Sequence, residues 1–215
     1  MNNLIKFLAF LTLSTAASAC DSSQYGTVLS CYITYFDFYN LTLSTSDSML
    51  PNFFDFVKSR GAYELSSPYY HFKQACIIQT QLTTCLGSAV SCINPDDLGK
   101  IFKYKNNENY KYTGDYFTNN YKCDTAYNYI LDNYHCLSVA DFSGEAKIEA
   151  CFNTFNQAIT QNPCSAANNL ISCMELIYLS YCGQKAADYT CNVMKTEMTY
   201  DVPSCKNNLM TCNPV

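Results

Sequence analysis

The chain has 215 residues, a formal net charge of −5, 48% apolar residues, 14 cysteines, 19 tyrosines and no tryptophan. An acidic chain without a basic face excludes nucleic acid and anionic membrane as expected partners. Only seven glycines and six prolines speak against a loop-dominated array of small cysteine modules.

In chain order, residues 1–19 read as a secretory leader. Lys6 gives the n-region charge, Leu4 to Leu13 a short apolar run, and Ala17-Ser18-Ala19 a small-residue cleavage site. The run is shorter than the ~20 residues that span a bilayer, and no later segment is long and apolar enough, so no membrane span is expected. Residues 20–215 are then one secreted domain, and an even cysteine count behind a leader reads as a disulfide framework of up to seven bridges. Composition leaves the pairing open.

Tyr25, Val28, Leu29, Tyr32, Phe36 and Tyr39 fall at helical spacing over residues 24–44, with a strand as the alternative. Ten residues separate Cys20 and Cys31 at its start. Asn40-Leu41-Thr42 is an N-glycosylation sequon. A helix from Leu50 to Arg60 is expected to stop at Gly61. The next runs from Ser67 to Ile93 with apolar positions three and four apart, Gln79 as their one polar interruption, and Cys76, Cys85 and Cys92 riding on it. Asn94-Pro95 ends it and caps a short helix through Phe102, with Asp96 and Asp97 in the first turn. Residues 103–115 are polar and of low complexity and read as an exposed loop. Cys123 to Cys136 is helical. Ser143 caps a separate helix over 145–160 that carries Cys151, and Asn162-Pro163 breaks it.

Cys164, Cys173, Cys182 and Cys191 follow with eight residues between neighbours. On one helix, nine residues advance about 900° and about 13.5 Å, whereas bridged Cα atoms lie within about 7 Å. Neighbouring cysteines must therefore reach other elements, alternately on opposite sides. Gly183 divides the strip into two helices, the second over Lys185 to Met198, and the hairpin places Cys173 opposite Cys191 as a candidate bridge. Cys205 and Cys212 close the tail. C-x8-C-x6-C at Cys76, Cys85 and Cys92 partly repeats at Cys164, Cys173 and Cys182, so a diverged duplication is one reading and simple helix stapling the other.

Little chemistry stands out. His71 and His135 are the only histidines, and His135 adjoins Cys136. That pair would suit thiol–imidazole catalysis, but bridging of Cys136 is the expectation. Metal and cofactor sites are not expected, since no C-x2-C or H-x3-H pair occurs. Asp96-Asp97 points about 100° apart on a helix, which suits a helix start better than glycoside chemistry. Lys103, Lys105 and Lys111 among Tyr104, Tyr110 and Tyr112 offer a polyanion or glycan loop as the alternative to a solvated one.

Cys20-x10-Cys31, the Cys76–Cys92 run, Tyr121-Lys122-Cys123, Cys136-Leu137, Cys151-Phe152 and Cys182-Gly183 together resemble a nematode-expanded secreted cysteine-rich family known as domain of unknown function nineteen. The resemblance covers most of residues 20–195; Cys191, Cys205 and Cys212 extend beyond it. It implies an extracellular helical domain without assigned activity, and no catalytic residue transfers. The expectation is an all-α, disulfide-rich domain of six to eight helices. Its function would be non-enzymatic binding of an extracellular protein or glycan. The alternatives are a carrier with an apolar cavity, and a hydrolase using His71 or His135.

Overall fold

The computed structural model describes residues 20–43, 50–103 and 108–215. Residues 1–19, the expected leader, lie outside them. The described residues form an all-α fold without strands, and all 14 cysteines pair into seven disulfides. The helices are α1 (Tyr25–Phe38), α2 (Phe53–Ser66), α3 (Pro68–Leu86), α4 (Pro95–Ile101), α5 (Glu108–Cys123), α6 (Tyr127–Ala158), α7 (Pro163–Cys182) and α8 (Gln184–Asp201), with 3₁₀ segments at Gly87–Cys92 and Pro203–Asn208.

The bridges divide the chain. Cys20–Cys92, Cys31–Cys85 and Cys76–Cys123 close within the first half. Cys136–Cys182, Cys151–Cys173, Cys164–Cys205 and Cys191–Cys212 close within the second, and none joins the two. Numbered in order, the six cysteines of the first half pair one with five, two with four and three with six, and the second half repeats this order once its additional Cys191–Cys212 bridge is left out of the numbering.

Each half buries its own core. In the first, Phe36, Phe56, Phe102, Tyr32 and Tyr112 are nearly or wholly inaccessible. Their rings meet edge to face, as at Phe36–Phe56 (5.1 Å, 88°) and Phe53–Tyr112 (5.0 Å, 90°), the arrangement that ring quadrupoles favour. In the second, Ala167, Leu170, Ile171, Ala186 and Met198 fill the space between α6, α7 and α8. Gly144 is needed there, because a Cβ would stand 3.0 Å from Ile177 Cγ2. The halves meet where α5 lies on α8, with Phe117 stacked on Tyr200 at 5.0 Å, and where Phe72 stacks on Tyr127.

Several expectations need correction. The 24–44 alternative of a strand is overturned by α1. Gly61 does not stop α2, which runs through it to Ser66; a mid-helix glycine costs only about 1 kcal/mol. The helix expected to reach Ile93 changes to 3₁₀ geometry at Gly87, whose φ of +48° is left-handed. The 103–115 loop is wrong from residue 108 onward, where α5 begins. Glu108 Oε1 accepts hydrogen bonds from Asn52 Nδ2 (2.9 Å) and the Phe53 amide (3.2 Å), and Tyr112 enters the aromatic core. Tertiary burial here overrides a polar, low-complexity sequence. Ser143 starts no new helix: α6 is one 32-residue rod, and the Ser143 carbonyl accepts the Tyr181 hydroxyl (2.9 Å).

The cysteine strip behaves differently from its simplest reading. Cys164 reaches Cys205 beyond α8, but Cys173 and Cys182 both reach α6, at Cys151 and Cys136. The long α6 passes both, and Cys182 is the last residue of α7. The Cys173–Cys191 bridge is therefore incorrect. The hairpin does match their heights, but Cys173 sits on the α6 side while Cys191 pairs with Cys212 in the tail. Gly183 (φ +81°) ends α7, and the Asn162 side chain, accepting from the Ser165 amide at 3.3 Å, begins it.

Candidate functional site

Where the two halves face each other, they line a partly open cavity of about 260 Å³. Seven of the eight helices contribute to its wall. Tyr35 and Tyr39 come from α1, one helical turn apart, and Arg60 and Glu64 come likewise from α2. Phe72 and Gln79 project from α3. The other half adds Tyr134 and Asp141 from α6, Tyr178 from α7, and Tyr189 and Thr190 from α8. Met174, Val193 and Met194 give an apolar floor.

The cation in this wall is held firmly. Arg60 donates from Nη1 to Asp115 Oδ2 (2.9 Å) and from Nη2 to Asp115 Oδ1 (2.6 Å), a fork on α5. Its guanidinium carbon lies 4.7 Å from the Phe56 ring centre, and Glu64 Oε1 is 4.0 Å from Nε. The Arg60 and Asp115 side chains are 14% and 11% exposed, so the pair is largely desolvated. Burial opposes the Arg60 charge, but Asp115 outweighs it and holds the guanidinium protonated. Burial also pushes the Tyr35 hydroxyl up to about 12 despite Arg60 nearby.

On the opposite wall the Tyr178 hydroxyl donates to Asp141 Oδ1. Burial pushes the Asp141 carboxyl above its usual range, and the Tyr178 bond and Lys122 only partly offset this. Burial is also the main cause that raises the Tyr178 and Tyr189 phenols, with Asp141 adding to it. Two buried polar atoms of the residues that border this cavity have no partner. Gln79 is 2% exposed, its Nε2 donates a long 3.5 Å bond to the Tyr116 carbonyl, and its Oε1 has no partner. Thr190 is 4% exposed, and its Oγ1 has none either. A buried polar atom without a partner costs about 1–3 kcal/mol, so this wall is unsatisfied at two points.

Beyond the Arg60–Asp115 fork lies a second space of about 310 Å³, bordered by Phe53, Lys111, Glu197 and Asp201. Arg60, Asn119 and Lys122 border both. Burial, reinforced by Asp201 one turn away, pushes the Glu197 carboxyl up to about 7.

The residues singled out in the sequence lie largely elsewhere. Cys136 is committed to Cys182, which removes it as a nucleophile for the exposed His135. His71 stacks on Tyr63 at 4.1 Å, and its Nδ1 is 2.7 Å from the Tyr63 carbonyl. Asp97 belongs to a helix start: it accepts from Tyr25 (2.6 Å), Asn94 (2.8 Å) and Lys100 (3.1 Å). Burial raises its carboxyl, but these bonds outweigh that and leave it below the usual range. Lys105 and Tyr104 lie outside the described residues, and Tyr112 turns into the core, so the alternating cation–aromatic loop is not formed as expected. Asn40 is exposed just after α1 with φ +56°, a placement compatible with its sequon. No cluster of three metal-ligating side chains occurs among the described residues, and no single described helix is long and apolar enough to cross a membrane.

Among the wall residues, Gln79 had drawn notice in the sequence as a polar interruption of an apolar stripe. Arg60 carried an unused signal: it is the lone arginine among lysines, and a buried carboxylate fork selects arginine. No family model, curated protein or solved structure matches this chain. The geometry is therefore its own guide to function.

Proposed function

We propose that the protein is a secreted, non-enzymatic binding module that takes a small molecule into the cavity between its halves. Seven disulfides fit an oxidising extracellular compartment, and the leader and the cysteine-rich resemblance point the same way. The observation that carries the reading is the shared wall with two buried, unpaired polar atoms, Gln79 Oε1 and Thr190 Oγ1. Ligand sites combine apolar lining with a few placed polar groups. This wall is too polar for a pure lipid carrier, so the apolar-carrier alternative is narrowed to an amphipathic ligand.

Native mass spectrometry of the secreted, oxidised protein tests it. The expected result is one small molecule bound per chain, lost in Val193→Trp, which fills the cavity while the disulfide map and helix content stay unchanged. Binding that survives this filling would count against the cavity. A second reading, docking of another protein, is favoured by Phe142 and Phe54, which are 84% and 72% exposed; alanine at both positions would then abolish partner capture and leave small-molecule binding intact.

A further inference from the structure

Given the cavity reading, on which this step rests, we infer the chemical class of the ligand: a small arylalkyl monoamine, bound as its ammonium ion. Three features of the wall ask for the same group. The first is Gln79. Its orientation is set by the Tyr116 carbonyl, which takes Nε2; a flipped amide would press two carbonyl oxygens together. Oε1 is therefore a buried acceptor without a donor, on a side chain that borders the cavity, and an ammonium brings three N–H donors.

The second feature is charge. The wall carries Arg60, Lys122, Glu64 and Asp141. Arg60 spends both Nη groups on Asp115, so that pair cancels. Two carboxylates then face one lysine. An anionic ligand would meet Glu64 and Asp141, whereas a cation offsets the surplus. Burial holds Asp141 against ionisation, and an incoming ammonium relieves that penalty by pairing with it.

The third feature is the rings. Tyr35, Tyr39, Phe72, Tyr134, Tyr178 and Tyr189 all border the space. The negative faces of such rings attract a desolvated cation, and the same rings, with Met174 and Met194, pack an aromatic body. Size agrees. At about 20–30 Å³ per heavy atom, close to the share of one liquid water, 260 Å³ holds roughly ten. A phenyl ring with a two-carbon amine arm has about that number.

The test is isothermal titration of the full secreted protein with three probes that share one ring: tyramine, the neutral alcohol tyrosol, and the anion 4-hydroxyphenylacetate. Tyramine is expected to bind at least tenfold more tightly than tyrosol, and the anion not at all. Gln79→Leu and Asp141→Asn should each weaken tyramine about tenfold while leaving tyrosol nearly unchanged, a split that a merely unfolded variant would not show. Equal binding of tyrosol, or tighter binding of the acid, overturns the amine assignment and leaves the cavity reading standing. If none of the three binds, the assignment falls. Native mass spectrometry of wild type against Val193→Trp then decides whether the cavity reading falls with it.

Discussion

The two halves share a disulfide connectivity and little else. In the second, 12 residues separate the second and third cysteines, Cys151 and Cys164; in the first, Cys31 and Cys76 are separated by a stretch that includes all of α2. Likewise α4 and α5 occupy the interval between Cys92 and Cys123, where the second half has α8 and a 3₁₀ turn. The second half is thus close to a minimal form of the six-cysteine unit, with one added bridge, Cys191–Cys212, that ties down its tail. The first half carries an extra helix, and that helix supplies Arg60 and Glu64 to the cavity. The shared bridges hold the framework. The part that differs adds an arginine and a carboxylate to a wall the other helices share.

Covalent independence of the halves gives the sharpest way to break this comparison. Loop-closure entropy assigns about 4 kcal/mol to a bridge of this span, so Cys20→Ala with Cys92→Ala and its counterpart Cys136→Ala with Cys182→Ala should each lower stability by about that amount in urea unfolding. Their sequence separations are 72 and 46, too close to distinguish. Removing Cys191–Cys212, which has no counterpart, should cost about 3 kcal/mol, since its loop spans 21. Cleavage at the exposed Asp124–Thr125 step should yield two pieces that separate in denaturant without reductant. A single disulfide-linked species would refute the connectivity.

The cores should separate next. Phe36→Ala removes a ring that meets Tyr32, Tyr35, Phe56 and Tyr112, and about 4 kcal/mol is expected. Ile171→Ala in the aliphatic core should cost about 3 kcal/mol. Measured side by side, the reverse ranking would show that the ring network adds nothing beyond its buried area.

Much of this was written in residue pattern. Asn94-Pro95, Asn162-Pro163 and Gly183 mark helix ends because their effects are local: a side-chain cap, a fixed φ, a left-handed turn. Gln79 stood out as a polar residue in an apolar stripe. The α5 helix and the disulfide partners were illegible for the opposite reason. Tyr112 is buried because α1 and α2 cover it, and Cys173 turns from Cys191 because α6 occupies that side. Such facts depend on residues far away in sequence. The cavity is the extreme case, since seven helices from both halves must assemble before any of its wall exists.

The ion pair between α2 and α5 comes third in size. Asp115→Ala leaves the guanidinium of Arg60 buried with only Glu64 at 4.0 Å. Stranding a buried charge costs about 3–5 kcal/mol; the partial exposure of both side chains places the expected loss at the lower end, about 3 kcal/mol by thermal or urea unfolding. Replacing both partners by Met and Leu should restore much of it, because no charge is then left unpaired. A double variant as unstable as the single one would mean the fork itself, rather than the stranded charge, holds α2 in place.

The smallest effect concerns Glu197, on the side of the fork away from the cavity. Its carboxyl is pushed up to about 7 from 4.5 by burial and by Asp201 on the same helix, against the opposing pull of Lys122 and Arg60; Asp115 on α5 adds to the rise. An acid raised in this way binds its proton more tightly in the folded chain than in the unfolded one. Folding then takes up a proton between pH 4.5 and 7, and stability falls as pH rises through that window. Below it the group is neutral in both states and contributes no penalty. Above it the full penalty persists, about 1 kcal/mol after allowance for partial exposure and salt. Glu197→Gln should therefore leave stability unchanged at pH 4, raise it by about 1 kcal/mol at pH 8, and flatten the profile between. A variant that loses stability at pH 8 would show that Lys122 and Arg60 hold Glu197 as a charged partner. The second space would then be an ion-pair network joining α2, α5 and α8 across the seam, and the halves would be held together by charge as well as by packing.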